Sequence, residues 1–384
     1  MRDVPVLRLS TFYFVYLAGL GAYSPFFGLY LDALGHSATT ISLVMSLWYG
    51  TRVVAPGVWS HYTERSARPI AWLRAGTVLA LATLAGLLLP LDVAGLFAVM
   101  AGFAFFYNAV MPQFEAITLS HLRGQASRYG RIRIWGSIGF VIAVAGLGVM
   151  FDHVDVRRLP LVMLPLFAAL VAAAWLNDYG PDVREQGERE SVARSLARPG
   201  VATFLACAFL MQCAHGAFYV FFSLFLGQQG YEPSAIGAFW SIGVLAEIAM
   251  FWFAGGALMR HGTVAAMRLC LGVAAVRFVL IGWFPDVAWV VAASQVAHAL
   301  GFGLFHAALM QRVTELFPPH LVGQGQGLLY GLGSGLGGVA GALLAGLAWK
   351  LGGGEAAFVA CGAVALAGFA VALPVRTTRA QPAR

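Results

Sequence analysis

Twelve apolar runs of membrane-spanning length dictate what this chain can fold into. Within a few residues they cover 9–33, 39–61, 70–90, 93–120, 129–151 and 157–176, then 200–227, 233–258, 264–284, 287–316, 321–350 and 353–374. Each reaches the roughly 20 residues that carry a helix across a bilayer core. Lipid offers the backbone no hydrogen-bond partner, so such runs satisfy themselves as helices. The first, Phe12 to Leu31, is longer than the apolar stretch of a cleaved export signal and is expected to stay as the first membrane helix. With 60% hydrophobic residues, 11% charged residues and a mean hydropathy of +0.77, a water-soluble fold is excluded. The expected fold class is an all-α membrane protein, twelve transmembrane helices in two pseudo-symmetric six-helix bundles.

Charge orders the loops. The net charge of +7 rests on Arg, with Lys350 the single Lys. These residues fall in short loops between apolar runs, which argues against a nucleic-acid partner and for the positive-inside rule. Arg2, Arg8, Arg65, Arg68, Arg123, Arg128, Arg184, Arg189, Arg194, Arg198, Arg260, Arg376, Arg379 and Arg384 alternate with loops holding only Arg157, Arg158 and Lys350. Twelve spans then place both termini in the cytoplasm. The one long hydrophilic stretch, Asn177 to Pro199, carries Asp178, Asp182, Glu185, Glu188 and Glu190. It is expected to be a cytoplasmic linker between an N-terminal bundle, 1–176, and a C-terminal bundle, 200–384.

The halves can be laid on one another. At a constant offset of 195 residues, Gly21–Arg52 matches Gly216–Glu247 with nine identities in 32 positions, among them Gly21/Gly216, Phe26/Phe221, Phe27/Phe222 and Gly35/Gly230. The same offset sets Arg52 opposite Glu247. Two six-helix halves related in this way are a transporter arrangement, with substrate held near the midplane.

Charges inside apolar helices locate the expected site, since each costs about 2.5–3.5 kcal/mol at the bilayer centre and survives by facing the interior. At about 1.5 Å of rise per residue, Arg52, His215, Glu247, Arg277 and His298 all lie about 11–15 residues into their runs and share one depth. Glu247 is expected to carry a proton, with His298 and Arg277 in the coupling cluster. Arg52, Arg277 and His215 are expected to meet an anionic substrate through fork or imidazole hydrogen bonds, with Tyr219 and Trp240 as aromatic contacts. His298 and His306, eight residues apart, would project about 80° from each other on a regular helix. Glu115, His306, Arg312 and Glu315 lie nearer the cytoplasmic face and suit a gate or latch, and Arg131 and Arg133 are expected to be orientation charges.

Other signals carry less. Gly333, Gly335 and Gly338 match G-x-G-x-x-G but follow no strand, so close helix packing explains them better than a dinucleotide. Cys207, Cys213, Cys270 and Cys361 have no ligand spacing, so neither a disulfide nor a metal is expected. Pro25 and Pro112 mark kinks. No nucleophile and base pair, phosphate loop or cofactor motif is present, so the chain is not expected to be an enzyme or to hold a cofactor.

Three segments resemble a known family: Tyr129-Gly130-Arg131-Ile132-Arg133-Ile134-Trp135-Gly136-Ser137 in the fifth run, Gln212-Cys213-Ala214-His215-Gly216-Ala217-Phe218-Tyr219 in the seventh, and Trp240-Ser241 through Ala246-Glu247 in the eighth. The spacing His298 to His306 to Arg312 fits the same pattern. Over nearly its whole length the chain resembles the major facilitator superfamily, within it the 3-phenylpropionic acid permease family of proton symporters, and more distantly lactose permease and nucleoside symporters. The resemblance implies alternating access, proton-coupled uptake of an aromatic acid such as 3-phenylpropionate, and the inner membrane of a bacterium. By similarity to lactose permease, Glu247, Arg277 and His298 would form the coupling cluster. Two departures stand out. Gly301 occupies the position, one turn after His298, where lactose permease has an acidic residue, which leaves Glu247 as main proton carrier. The common superfamily pattern has Gly, three residues and then Asp, whereas here Gly57 is followed four positions on by His61, so His61 or Glu64 would have to supply that gating contact.

The expected partners are therefore a small-molecule substrate, protons and the lipid bilayer, with the protein working as a monomer. Proton-coupled sugar or nucleoside symport, efflux of a drug or metabolite by antiport, and a receptor or assembly protein with a carrier fold are the alternatives.

Overall fold

The structure is a computed structural model that describes residues 4–122, 126–180 and 190–375, the side chains of Ala126 and Ser127 apart. Arg2, Arg123, Arg184, Arg189, Arg376, Arg379 and Arg384, with Asp182, Glu185 and Glu188 of the expected linker, lie outside the described residues.

Among the described residues, twelve long helices follow one another. They are α1 (Val6–Ala33), α2 (Ala38–Arg65), α3 (Pro69–Ala85), α4 (Val93–Leu122), α5 (Ala126–Phe151), α6 (Leu159–Trp175), α7 (Val201–Gln228), α8 (Pro233–His261), α9 (Thr263–Trp283), α10 (Ala288–Leu316), α11 (319–351) and α12 (354–372), the last two being the parts of the helical stretch Pro319–Ala372. Gly352 and Gly353 break that stretch, Gly353 with a φ of +69° that only glycine adopts freely. Ten segments are long and apolar enough to span; dividing the last in two and adding α2, whose apolar character Arg52 interrupts, gives twelve. The fold class is as the sequence dictates.

The chain forms two compact units, residues 1–185 with 231–238, and residues 186–230 with 239–384. In the first, α1 packs on α5 and α6, and α4 on α2 and α3. Glycines set these approaches. A Cβ on Gly139 of α5 would lie 2.2 Å from the Phe14 carbonyl oxygen, and one on Gly21 of α1 would lie 2.8 Å from that of Phe140. In the second unit α7 and α11 meet in the same way, since a Cβ on Gly216 would lie 2.1 Å from the Gly341 carbonyl oxygen. The repeated positions thus do the same physical work. Gly21 and Gly216 are close-approach points, Phe26, Phe27, Phe221 and Phe222 are fully buried, and Gly35 and Gly230 take φ of +84° and +87° just past the ends of α1 and α7.

The glycines of α11 pack closely against α7. A Cβ on Gly333 would lie 3.0 Å from the Ala208 methyl, and one on Gly337 or Gly341 would lie 2.7 or 2.4 Å from the carbonyl oxygen of Phe209 or Cys213. The spacing that matters is four residues, one helix face, rather than the dinucleotide-like pattern. The four cysteines are buried with free thiols. Pro25 and Pro112 lie inside α1 and α4, and Pro56 and Pro165 lie inside α2 and α6.

Candidate functional site

The second unit gathers four of the five mid-membrane groups. His298 of α10 stands at the centre. Its Nε2 lies 2.9 Å from Glu247 Oε1 of α8, and its Nδ1 lies 2.5 Å from Arg277 Nη1 of α9. The directions follow from donor chemistry. A guanidinium only donates, so Nδ1 accepts, and the single proton of a neutral imidazole then sits on Nε2 and is donated to the Glu247 carboxylate. Arg277, His298 and Glu247 form one directed chain across three helices.

Aromatic rings enclose the cation. The Arg277 guanidinium carbon lies 4.8 Å from the Phe218 ring centroid and 4.6 Å from that of Phe278, and the residue is 2% exposed. Such stacking stabilises a guanidinium away from water. Its in-plane donors are a different matter: Nη1 bonds His298, while Nε and Nη2 are buried and have no partner. Buried donors are normally satisfied, so two on one side chain mark a place for an acceptor.

His215 sits at the break in α7 between Ala214 and Gly216. Its Nδ1 donates to the Met211 carbonyl oxygen at 2.8 Å, its ring lies 5.6 Å from that of His298 and 5.0 Å from that of Phe278, and its buried Nε2 has no partner. Tyr219 and Trp240 complete the wall. Their rings lie 6.2 Å apart, Trp240 is 4.7 Å from Phe218, and its indole donates to Ser223 Oγ at 3.0 Å.

Arg52 belongs to the first unit. Its Nε donates to Asn108 Oδ1 at 3.3 Å, and Asn108 Nδ2 in turn donates to the Trp48 carbonyl and Thr51 Oγ1, both at 2.9 Å. The guanidinium lies 5.5 Å from the Trp48 ring, on which Tyr23 stacks at 4.6 Å.

The outlying charges form separate ties. Glu115 accepts from Tyr129 at 3.3 Å, joining α4 to α5, and Arg133 lies over the Tyr13 ring at 5.4 Å while Arg131 is exposed. Glu315 accepts from Arg312 at 2.6 Å and from Thr263 Oγ1 at 3.0 Å, joining α10 to α9. His61 bonds Arg65 on its own helix.

One expectation about α10 is overturned. His298 and His306 do not diverge by the angle of a regular helix, because residues Leu300–Leu304 form a π turn. Its wider turn holds back the angular drift. Phe302 consequently stacks on both, 5.9 Å from His298 and 6.3 Å from His306, and all three rings share a face. Sequence reasoning also passed over Gln295, fully buried with its Oε1 unpartnered, and Asn108. Both are uncharged polar residues inside apolar helices, a signal that counting only ionisable groups discards.

A family model described as "MFS_1 like family" matches residues 6–360. The chain belongs to this family of the major facilitator superfamily. Its members are transporters and not enzymes. The "Probable 3-phenylpropionic acid transporter" of Escherichia coli (strain K12) is 29% identical over 320 residues, 79% of this chain and 81% of that protein. The maltose permease of Geobacillus stearothermophilus is 27% identical over 332 residues, 85% of this chain and 83% of the permease. Among solved structures, a point mutant of the nucleoside transporter NupG superposes with a TM-score of 0.86 at 17% identity, over 96% of this chain and 99% of that one, a likeness of fold.

Proposed function

We propose that this multi-pass membrane transporter takes up a small aromatic carboxylate, in the manner of 3-phenylpropionate, together with a proton by alternating access. The observation that carries the reading is the open side of Arg277. Nε and Nη2 are the two donors with which an arginine grips a carboxylate side-on, and Arg198 of this same chain grips Glu190 through those atoms at 2.9 and 3.2 Å. At Arg277 the same fork is buried and unpaired, between two phenylalanine rings that suit an aryl group. The Escherichia coli relative, a probable 3-phenylpropionic acid transporter, supports the same substrate class. Glu247 carries the proton, and His298 holds it in register with Arg277. The maltose permease keeps a sugar in view, but an unpaired buried cation favours an anion over a neutral polyol.

The Arg-rich loops support cytoplasmic termini and a bacterial inner-membrane location, and each chain is proposed to work as a monomer. Uptake of labelled 3-phenylpropionate into proteoliposomes, with and without an inward proton gradient, tests the reading. Accumulation that a protonophore abolishes supports it. Folded protein that moves no aromatic acid overturns it.

A further inference from the structure

His215 adds a second requirement to the ligand, independent of charge. Met211 offers a carbonyl oxygen, which only accepts, so Nδ1 carries the imidazole proton and Nε2 is left as an acceptor. That acceptor is buried and receives nothing. Protonating it would set a second cation against Phe218 and Phe278, the rings that already flank Arg277, without water to screen the two charges. A donor from outside the chain is the remaining way to satisfy it. The position facing it is Gly301, where an added Cβ would lie 3.6 Å from His215 Nε2, so the backbone there leaves room that a side chain would fill.

We propose that the site selects a hydroxylated aryl carboxylate, with the carboxylate on Arg277 Nε and Nη2 and the hydroxyl donating to His215 Nε2. Arg277 and His215 share the neighbours His298, Phe218 and Phe278, which brings both groups within reach of one aromatic ligand. The carboxylate end rests on the function proposed above; the hydroxyl end does not. A site that hydrogen-bonds a hydroxyl rejects the analogue lacking it, because a buried partner is then left unpaired.

The test uses two probe pairs that differ only by a ring hydroxyl. One pair is anionic, 3-phenylpropionate against its 3- or 4-hydroxyphenyl counterpart; the other is neutral, ethylbenzene against the matching ethylphenol. Binding to the purified full-length protein is read by tryptophan fluorescence and by competition with uptake. In the wild type the hydroxyl should tighten binding by about tenfold or more, and His215→Leu should abolish that gain, weakening the hydroxylated acid about tenfold more than the parent acid. Gly301→Ala, which covers Nε2 without touching Arg277, should reduce the same gain and stands in if His215→Leu does not fold. Equal binding within both pairs in the wild type overturns the proposal, as does a His215→Leu variant that weakens both members equally. If no acid binds while the ethylphenols still outbind ethylbenzene in a His215-dependent way, the carboxylate reading fails and the hydroxyl contact stands.

Discussion

Glu247 and His298 meet at 2.9 Å, Oε1 to Nε2, and Arg277 on the far side of the imidazole fixes which atom donates. Because Arg277 can only give a proton to Nδ1, His298 can only give one to Glu247. The imidazole therefore transmits the state of the carboxylate to the guanidinium. With Glu247 ionised, the chain of donors is satisfied from end to end. With Glu247 protonated, the carboxyl no longer holds His298 as strongly, and Arg277 loses the charge that its bond to Nδ1 transmits.

Glu247→Gln keeps the shape and an acceptor oxygen for His298 while removing the proton site. Concentrative uptake should fall by about tenfold or more, whereas counterflow exchange, which needs no net proton movement, should persist. The comparison of the two assays in one proteoliposome preparation checks it. Full accumulation with a proton signal on substrate addition would exclude Glu247 as the carrier.

Arg277→Lys retains a charge but has no fork, since an ammonium is a point donor. Removing one partner of a buried charged hydrogen bond costs about 2–5 kcal/mol, so affinity for an aromatic acid should weaken by about 30-fold or more. The loss should be much smaller for a neutral aromatic probe. Equal weakening of both would mean that Arg277 supports the helices and does not hold the ligand.

These residues were legible in the sequence to different degrees, for physical reasons. Desolvation makes a charge in an apolar run costly, so Glu247, Arg277, His298 and His215 declared themselves, and the length of the runs gave all twelve helices. Pairing was not legible, because helix depth says nothing of which face a side chain takes. The π turn at Leu300–Leu304 leaves no periodic trace and changed the relation of His298 to His306. Phe278 was hidden among many apolar residues; only the guanidinium stacked against it gives the ring a role.

Glycine placement gives a prediction on folding. Gly139 and Gly146 lie on the same helix, yet a Cβ on Gly139 would strike the Phe14 carbonyl while one on Gly146 would meet nothing within 4 Å. Gly139→Ala should destabilise the protein by about 1–3 kcal/mol or more through overpacking. Gly146→Ala should instead be neutral or stabilise by up to about 1 kcal/mol, as glycine to alanine does in a helix without obstruction. Thermal unfolding of the two variants in detergent, followed by size-exclusion fluorescence, separates them; equal midpoints would contradict the α1 and α5 contact.

The membrane-external tie at Glu190 predicts a pH dependence. Arg198 donates to both carboxylate oxygens and Ser195 to one of them, at 2.7 Å, while Gln324 at the start of α11 bonds the Glu190 backbone in both directions, at 3.0 and 2.7 Å. The hydrogen bonds from Arg198, then Ser195, hold the Glu190 carboxyl below its ordinary value of 4.5. A depressed folded value means that the stabilisation is fully present above the ordinary carboxylate range and is lost as the pH falls through the lower, folded one. Above pH 4.5 the tie should hold, and amide exchange through Val192–Leu196 should quicken, beyond its intrinsic pH trend, only as the medium turns more acidic than that. Glu190→Gln removes the titrating group, so its exchange should already be fast at neutral pH and show no further acid-induced loosening. A wild-type segment whose corrected exchange is flat across the acid range would show that the backbone bonds to Gln324, rather than the Arg198 pair, hold this end of the chain.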